Sequence, residues 1–279
     1  MSTPATIALL TDFGASDWYV AEMKGVLLAY APGAALVDIA HTIPPGDIAR
    51  AAFVLARAHA AFTGDTVFVA VVDPGVGTAR HPLAVHAFGQ FFVGPDNGVL
   101  EAAYADPDAS ARRIADAKLL AGASATFHGR DVFAPAAAKI AQGGETAWRK
   151  LGPTVEVPVR LPDPWPTTAA PDSDGQVTHV ALVDRFGNAI TTLGALELEA
   201  WLNQRSVSGI VLRVHGARGE HVTEIHGLAH TYGDDPGGDA IALVGSSGLV
   251  EIALPGGHAG LRLGLAPGDV VELHHLETA

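Results

Sequence analysis

The run Thr66 to Val72, TVFVAVV, carries no charge and stops at Asp73. A strand this apolar has no face to give to water, so it must be covered on both sides, as a central strand of a layered α/β sheet is. Ile7 to Thr11 repeats the arrangement in shorter form and stops at Asp12. Around these two runs, helix-like and strand-like segments alternate. Asp17 to Tyr30 reads as a helix ended by Ala31-Pro32-Gly33, Ala35 to Ala40 as a strand, and Asp47 to Phe62 as a long Ala-rich helix. Leu83 to Phe88 and Gln90 to Val93 read as short strands about Gly89. The turn Gly94 to Gly98 then leads to a helix expected from about Val99, and Arg130 to Ala141 is a further Ala-rich helix. The expected fold is α/β, an amino-terminal layered domain with a mainly parallel sheet.

Residues 152 to 176 hold six of the 18 prolines and close on Asp172-Ser173-Asp174-Gly175, so the layered domain is expected to end there. The division expected is an α/β domain over 1–165, a Pro/Asp-rich linker over 166–175 and a second domain over 176–279. A chain of 279 residues suits two modest domains. Past the linker, β-rich runs separated by Gly and Asp clusters dominate: Val177 to Val183, Ala189 to Leu193, Ile210 to Val214, Val222 to Ile225, Ile241 to Val244, Leu249 to Leu254 and Val270 to His274. That spacing predicts a carboxy-terminal all-β, barrel-like domain.

Charge and composition narrow the function. The net charge of −13, with no basic run, argues against a surface that grips phosphate backbones, so no nucleic-acid partner is expected. The absence of cysteine removes thiolate nucleophiles, zinc ribbons and iron–sulfur clusters. No apolar run approaches the ~18 residues of a membrane span, and the first residues lack a basic region followed by an apolar stretch; the expectation is a cytoplasmic protein without a membrane partner.

Chemistry must then come from Asp, Glu, His, Ser, Tyr or the backbone. Asp12 and Asp73 each follow an apolar strand, and ligands of open α/β sheets gather outside the carboxyl ends of strands. The competing explanation, an Asp that caps the next helix or makes a turn, applies to each singly. Asp73 to Pro82 has a G-x-G but neither a dinucleotide fingerprint nor a P-loop. Its glycines allow Arg80 to fold back toward Asp73, as a functional pair or as a plain ion pair. His128 stands at a helix start, one of 13 histidines. His221, His226 and His230 with Asp234, Asp235 and Asp239 form the strongest metal candidate, but their spacing matches no established ligand pattern and a polar loop is the simpler reading. Asp184-Arg185-Phe186-Gly187-Asn188 and Gly245-Ser246-Ser247-Gly248 are turns between strands that either bind a ligand or only reverse the chain.

Taken together, Thr11-Asp12-Phe13-Gly14, Asp73-Pro74-Gly75-Val76-Gly77-Thr78 with Arg80, Gly94 to Gly98, Thr126 to Asp131, Phe186-Gly187-Asn188 and Gly245 to Ala253 resemble the S-adenosyl-L-methionine hydroxide adenosyltransferases, relatives of the fluorinase and chlorinase. The motifs follow the family's order over nearly the whole chain. The resemblance implies the reaction of S-adenosylmethionine with water to give adenosine and L-methionine, no metal or other cofactor, and a homotrimer with sites between subunits. It implies that Asp73, Arg80 and His128 hold the attacking water and that Asp12 accepts hydrogen bonds from both ribose hydroxyls. Asp184, Asn188 and Ser246 match positions for the methionine end. Phe186 and Tyr232 would wall the adenine, with the backbone at Ala253 and Leu254 reading its edge, and Glu251 belongs to the same substrate-binding motif. The halogenases have a tyrosine and a threonine where this chain has Asp73 and Val76 and a tryptophan at Gly46, and those departures argue against a halide pocket; in the second domain they have a longer turn at Asp184 to Asn188 and an arginine at Ser247. The rivals are a halide-dependent synthase of 5′-halo-5′-deoxyadenosine, a binding module without turnover and, third, a metal hydrolase built around His226, His230 and Asp239.

Overall fold

The computed structural model describes residues 5–161, 168–169, 175–203, 210–215, 222–234 and 238–275. The chain divides into two units, Met1–Pro162 and Asp163–Ala279. Most of the Pro/Asp-rich segment 166–175 lies outside the described residues.

In the first unit the chain runs β1 (Thr6–Thr11), α1 (Tyr19–Tyr30), β2 (Ala35–Ala40), α2 (Ile48–Ala58), β3 (Val67–Val71), β4 (Pro82–Ala87), β5 (Gln90–Pro95), β6 (Ser110–Arg113), α3 (Ala117–Leu120), α4 (Ala134–Arg149) and β7 (Thr154–Val155). The seven strands form one sheet in the order β2-β1-β3-β5-β4-β6-β7. It is a mixed sheet: β2, β1, β3 and β5 run parallel, and β4, β6 and β7 extend it with antiparallel pairings. All five residues of β3 are buried. Val67, Val69 and Val71 pack with Met23 and Leu27 of α1 and the alanines of α4, whereas Phe68, Ala70 and Val72 pack with Ala51 and Leu55 of α2. Alternation persists, but both faces meet helices, which is why it leaves no polar signature in the sequence.

One expected helix is corrected. The segment after Val99 makes only a five-residue 3-10 turn, Glu101–Ala105. Pro107 follows directly and disfavours helical backbone at Asp106, whose carboxylate instead accepts the N–H groups of Phe88 and Asp108.

The second unit contains β8 (Thr168–Ala169), β9 (Gln176–Val183), β10 (Ala189–Gly194), α5 (Ala195–Leu202), β11 (Ile210–His215), β12 (Val222–His226), β13 (Ile241–Val244), β14 (Leu249–Ala253), α6 (Ala259–Arg262) and β15 (Val270–His275). An antiparallel path β12-β11-β15-β9-β10-β14-β13 curls until Ala229, just past β12, bridges Leu243 of β13. The result is a nearly closed barrel around Val180, Leu193, Leu212, Val250 and Leu273. Within this β unit α5 is a short helix that buries Leu198 and Trp201, with Glu197 accepting the N–H of Gly194 at 3.0 Å.

Candidate active site

Thr11 of β1 stands opposite Val71 of β3 in the parallel register, so Asp12 and Asp73 leave adjacent strands at the same carboxyl rim. The loop after β3 turns tightly: Val76 N–H donates to the Asp73 carbonyl at 3.2 Å and Thr78 N–H to the Gly75 carbonyl at 3.1 Å. Gly77 holds φ at +77°, and a Cβ there would lie 2.6 Å from the Ala125 carbonyl oxygen. Only glycine lets this loop lie against the segment leading to His128.

The loop returns Arg80 onto Asp73, seven positions earlier. Nε donates to Oδ1 at 2.9 Å and Nη2 donates to Oδ2. The fork-to-fork geometry fixes both groups, and their side chains are only 10% and 5% exposed. Arg80 Nη2 also donates to His128 Nδ1 at 2.8 Å, and the guanidinium sits 5.3 Å from the Phe133 ring centroid. Arginine has no acceptor. His128 Nδ1 must therefore be the bare nitrogen, leaving the ring proton on Nε2. Burial, and then the Arg80 charge, hold the imidazole below its ordinary value against the opposing pull of Asp73 and Asp131. Arg80 Nη1 is buried without a protein partner.

Aromatic packing joins the loops that carry Asp12 and His128. Phe13 meets Phe127 edge-on at 5.8 Å between centroids, and Tyr19 meets Phe127 at 5.3 Å. Asp12 Oδ2 accepts the N–H of Gly46 at 2.9 Å. Two supporting residues lie inside the motifs but were given no role from the sequence. Asn97 donates to the Val72 carbonyl at 2.9 Å and so pins the end of β3 beside Asp73, and Asp131 accepts the Ser124 N–H at 2.9 Å. Asn97 sits inside the turn Gly94 to Gly98, where a side-chain amide next to a strand end was the available signal.

In the second unit, Asp184 organises the β9–β10 turn: Oδ1 accepts from Phe186 N–H at 2.9 Å and from Asn188 N–H at 2.8 Å. Phe186 is 78% exposed. Ala189 pairs with Ile252, so this turn and Ala253-Leu254 lie at one end of β14, while Ser246 belongs to the turn at its other end, where Gly194 pairs with Leu249. Tyr232 donates its hydroxyl to the buried Glu251, and that bond, chiefly, pushes the phenol up to about 12. His226, Asp234 and Asp239 line a cavity of about 480 Å³. Asp234 accepts the N–H groups of His230 and Thr231 as a turn cap. Among the described residues no group of three or more His, Asp or Glu is placed to hold a metal; His221 and Asp235 lie outside those residues.

The model of the SAM hydroxide adenosyltransferase N-terminal domain matches residues 7–150, and that of the SAM hydroxide adenosyltransferase C-terminal domain matches residues 178–272. The chain belongs to the SAM hydroxide adenosyltransferase family. Its similarity to the (R)-S-adenosyl-L-methionine hydrolase of Thermus thermophilus is 42% identity over 277 residues, covering 96% of this chain and 98% of the relative. The hydrolase of the same name from Salinispora arenicola is 41% identical over 275 residues, covering 96% and 97%. An uncharacterized conserved protein from Thermotoga maritima, solved by crystallography, superposes with a TM-score of 0.85 at 33% identity over 96% of this chain and 99% of its own. In this member of the family, Asp73, Arg80 and His128 form one hydrogen-bonded group within the matched amino-terminal domain.

Proposed function

We propose that this protein hydrolyses S-adenosyl-L-methionine to adenosine and L-methionine, with Asp73, Arg80 and His128 holding the attacking water. The bidentate Asp73–Arg80 pair that also reaches His128 is the observation that carries this reading. The names of the full-length relatives support it.

The chemistry asks little of a leaving-group acid. Water oxygen forms a bond to the ribose C5′ as the C5′–S bond breaks, and the bonding pair passes to sulfur, which leaves as a neutral thioether. The protonated 5′ oxygen then loses a proton. What the enzyme must supply is an aligned nucleophile. Each Asp73 oxygen keeps acceptor capacity beyond its bond to Arg80 and takes a hydrogen of the water, raising the electron density on oxygen. His128 Nε2–H and the spare Nη1–H of Arg80 are the donors that orient it. Because His128 Nδ1 is committed to Arg80, His128 positions the water and Asp73 receives the proton before it passes to solvent. Water has hydrogens to give the Asp73 carboxylate and a halide has none, so the pair suits water.

Asp12, an acceptor-only carboxylate at the same rim, holds the two ribose hydroxyls. In the carboxy-terminal domain Asp184, Asn188 and Ser246 take the amino-acid end, Phe186 and Tyr232 flank the adenine, Ala253 and Leu254 read its edge, and Glu251 orients Tyr232. The working form is a cytoplasmic homotrimer, to be checked by sedimentation equilibrium. No helix among the described residues is long and apolar enough to cross a membrane.

The deciding experiment is incubation with S-adenosylmethionine in ¹⁸O-water, with mass analysis of the nucleoside. Heavy oxygen at the adenosine 5′ position is expected. A halogenated nucleoside when chloride or fluoride is supplied, or tight binding with no release of methionine, would replace hydrolysis by one of the rival activities.

A further inference from the structure

Behind Asp12 lies a second line of hydrogen-bonded side chains, made of residues other than Asp73, Arg80 and His128. Thr11, fully buried, places Oγ1 2.9 Å from His41 Nδ1. His41 Nε2 lies 3.0 Å from Asp38 Oδ1, and Lys24 Nζ donates to Asp38 Oδ2 at 2.7 Å. Partial burial works against the charge on Asp38, and the hydrogen bonds from Lys24 and His41 outweigh it, so its carboxyl sits below the ordinary value. An ionised Asp38 only accepts, so His41 Nε2 carries a hydrogen toward it. In the tautomer that carries its hydrogen on Nε2, Nδ1 is the bare nitrogen and accepts from the Thr11 hydroxyl. That leaves the Thr11 oxygen free to accept the N–H of Phe13, which it meets at 3.3 Å. Every donor in the line then has an acceptor, in one direction.

The line ends on the two residues that flank Asp12, and the same segment grips that turn twice more. The His41 carbonyl accepts the Gly14 N–H at 2.7 Å, and Gly46 N–H meets the Asp12 carboxylate at 2.9 Å. Asp12 thus follows a residue whose hydroxyl is held from the neighbouring strand end, and it precedes one whose N–H is held by that hydroxyl. We infer that His41 is a positioning residue for substrate binding: through Thr11 it fixes the turn that presents the Asp12 carboxylate, while Asp38 and Lys24 fix His41. This rests on the reading of Asp12 as the ribose acceptor. The alternative, an ion pair with only structural value, predicts no coupling to Asp12.

A double-mutant cycle on the full chain separates the two, with adenosine affinity measured by calorimetry for wild type, Thr11→Val, Asp12→Ala and the double variant. Thr11→Val keeps the branched shape of the buried side chain and exchanges the hydroxyl for a methyl group, so the bonds to His41 and Phe13 are lost. It is expected to weaken adenosine by about tenfold, as loss of alignment does. Added to Asp12→Ala, it should cost no more than about twofold, because the group it positions is gone. Wild-type affinity in Thr11→Val, or losses that multiply in the double variant, would overturn the positioning role and leave the ribose reading standing. Unchanged affinity in Asp12→Ala would overturn both. Should Thr11→Val not fold, His41→Asn and His41→Gln decide: the first keeps an acceptor near Nδ1, the second only an N–H toward Asp38. Adenosine is expected to bind His41→Asn several-fold more tightly than His41→Gln; equal losses or the reverse order overturn the proposal.

Discussion

Arg80 donates to His128 Nδ1 at 2.8 Å with the same nitrogen that holds Asp73 Oδ2, so one guanidinium sets the geometry of both neighbours. A lysine has the charge but not the fork. Arg80→Lys should therefore lower kcat by about 10²-fold while KM for S-adenosylmethionine moves by no more than about threefold. Steady-state kinetics of the variant checks this, and an unchanged kcat would take Arg80 out of the mechanism.

Asp73→Asn tests the carboxylate itself. The amide keeps the shape but leaves a largely buried guanidinium without its counter-ion, which costs about 3 kcal/mol of stability. A lower Tm is expected together with a fall in kcat of about 10²-fold or more, larger than any loss of substrate affinity. Near-normal turnover by a variant with a depressed Tm would mean that the pair is structural only.

His128 gives the pH dependence its sign. Its folded value lies below the ordinary imidazole value, through burial first and the Arg80 charge second. Between the folded value and about 6.5 the unfolded chain binds more protons, so stability falls as pH drops through that window and levels off below it. Activity should fall there too, since a proton on Nδ1 meets the Arg80 donor. The measurement is kcat and Tm from pH 8 to 5, with His128→Asn expected to flatten this component of the Tm curve. An acid limb of unchanged size in the variant would assign it to another group.

Gly77→Ala tests the contact that brings the two loops together. Its φ of +77° and the 2.6 Å approach to the Ala125 carbonyl leave no room for a methyl group. About 1–3 kcal/mol of destabilisation is expected from the backbone alone. A larger proportional loss of kcat should accompany it, because His128 rides on the displaced segment. Calorimetric unfolding and kinetics on the same sample check both.

The core of this molecule was legible because its central strands are apolar without interruption: Ile7 to Thr11 and Thr66 to Val72 lie within a residue of the observed β1 and β3. What escaped notice follows local chemistry that tertiary contacts override. β6, Ser110–Arg113, reads as polar surface, yet Arg112 lies over the Trp148 ring at 4.9 Å and donates to the Gly152 carbonyl at 2.8 Å. α5 was hidden among strand signals. The short link Phe88-Gly89 requires β4 and β5 to pair antiparallel, but the pairing of β6 and β7 onto β4 has no such short link and left no mark in the hydrophobic pattern. At the site, Asp12 and Asp73 could be seen as strand-end carboxylates and Arg80 as able to fold back. The link from His41 to Thr11 could not be seen, because residues thirty positions apart meet only once two parallel strands are laid side by side.

The buried pairing of Asp73 with Arg80, beside an uncharged imidazole, leaves the group proposed to hold the water electrically balanced. S-adenosylmethionine arrives as a cation and loses that positive charge as sulfur departs. A cluster of uncompensated anions at this point would clasp the sulfonium and release its grip as the charge vanished, deepening the starting well more than it lowered the summit. A balanced group sidesteps that trap, and its dipoles remain available to the incoming oxygen.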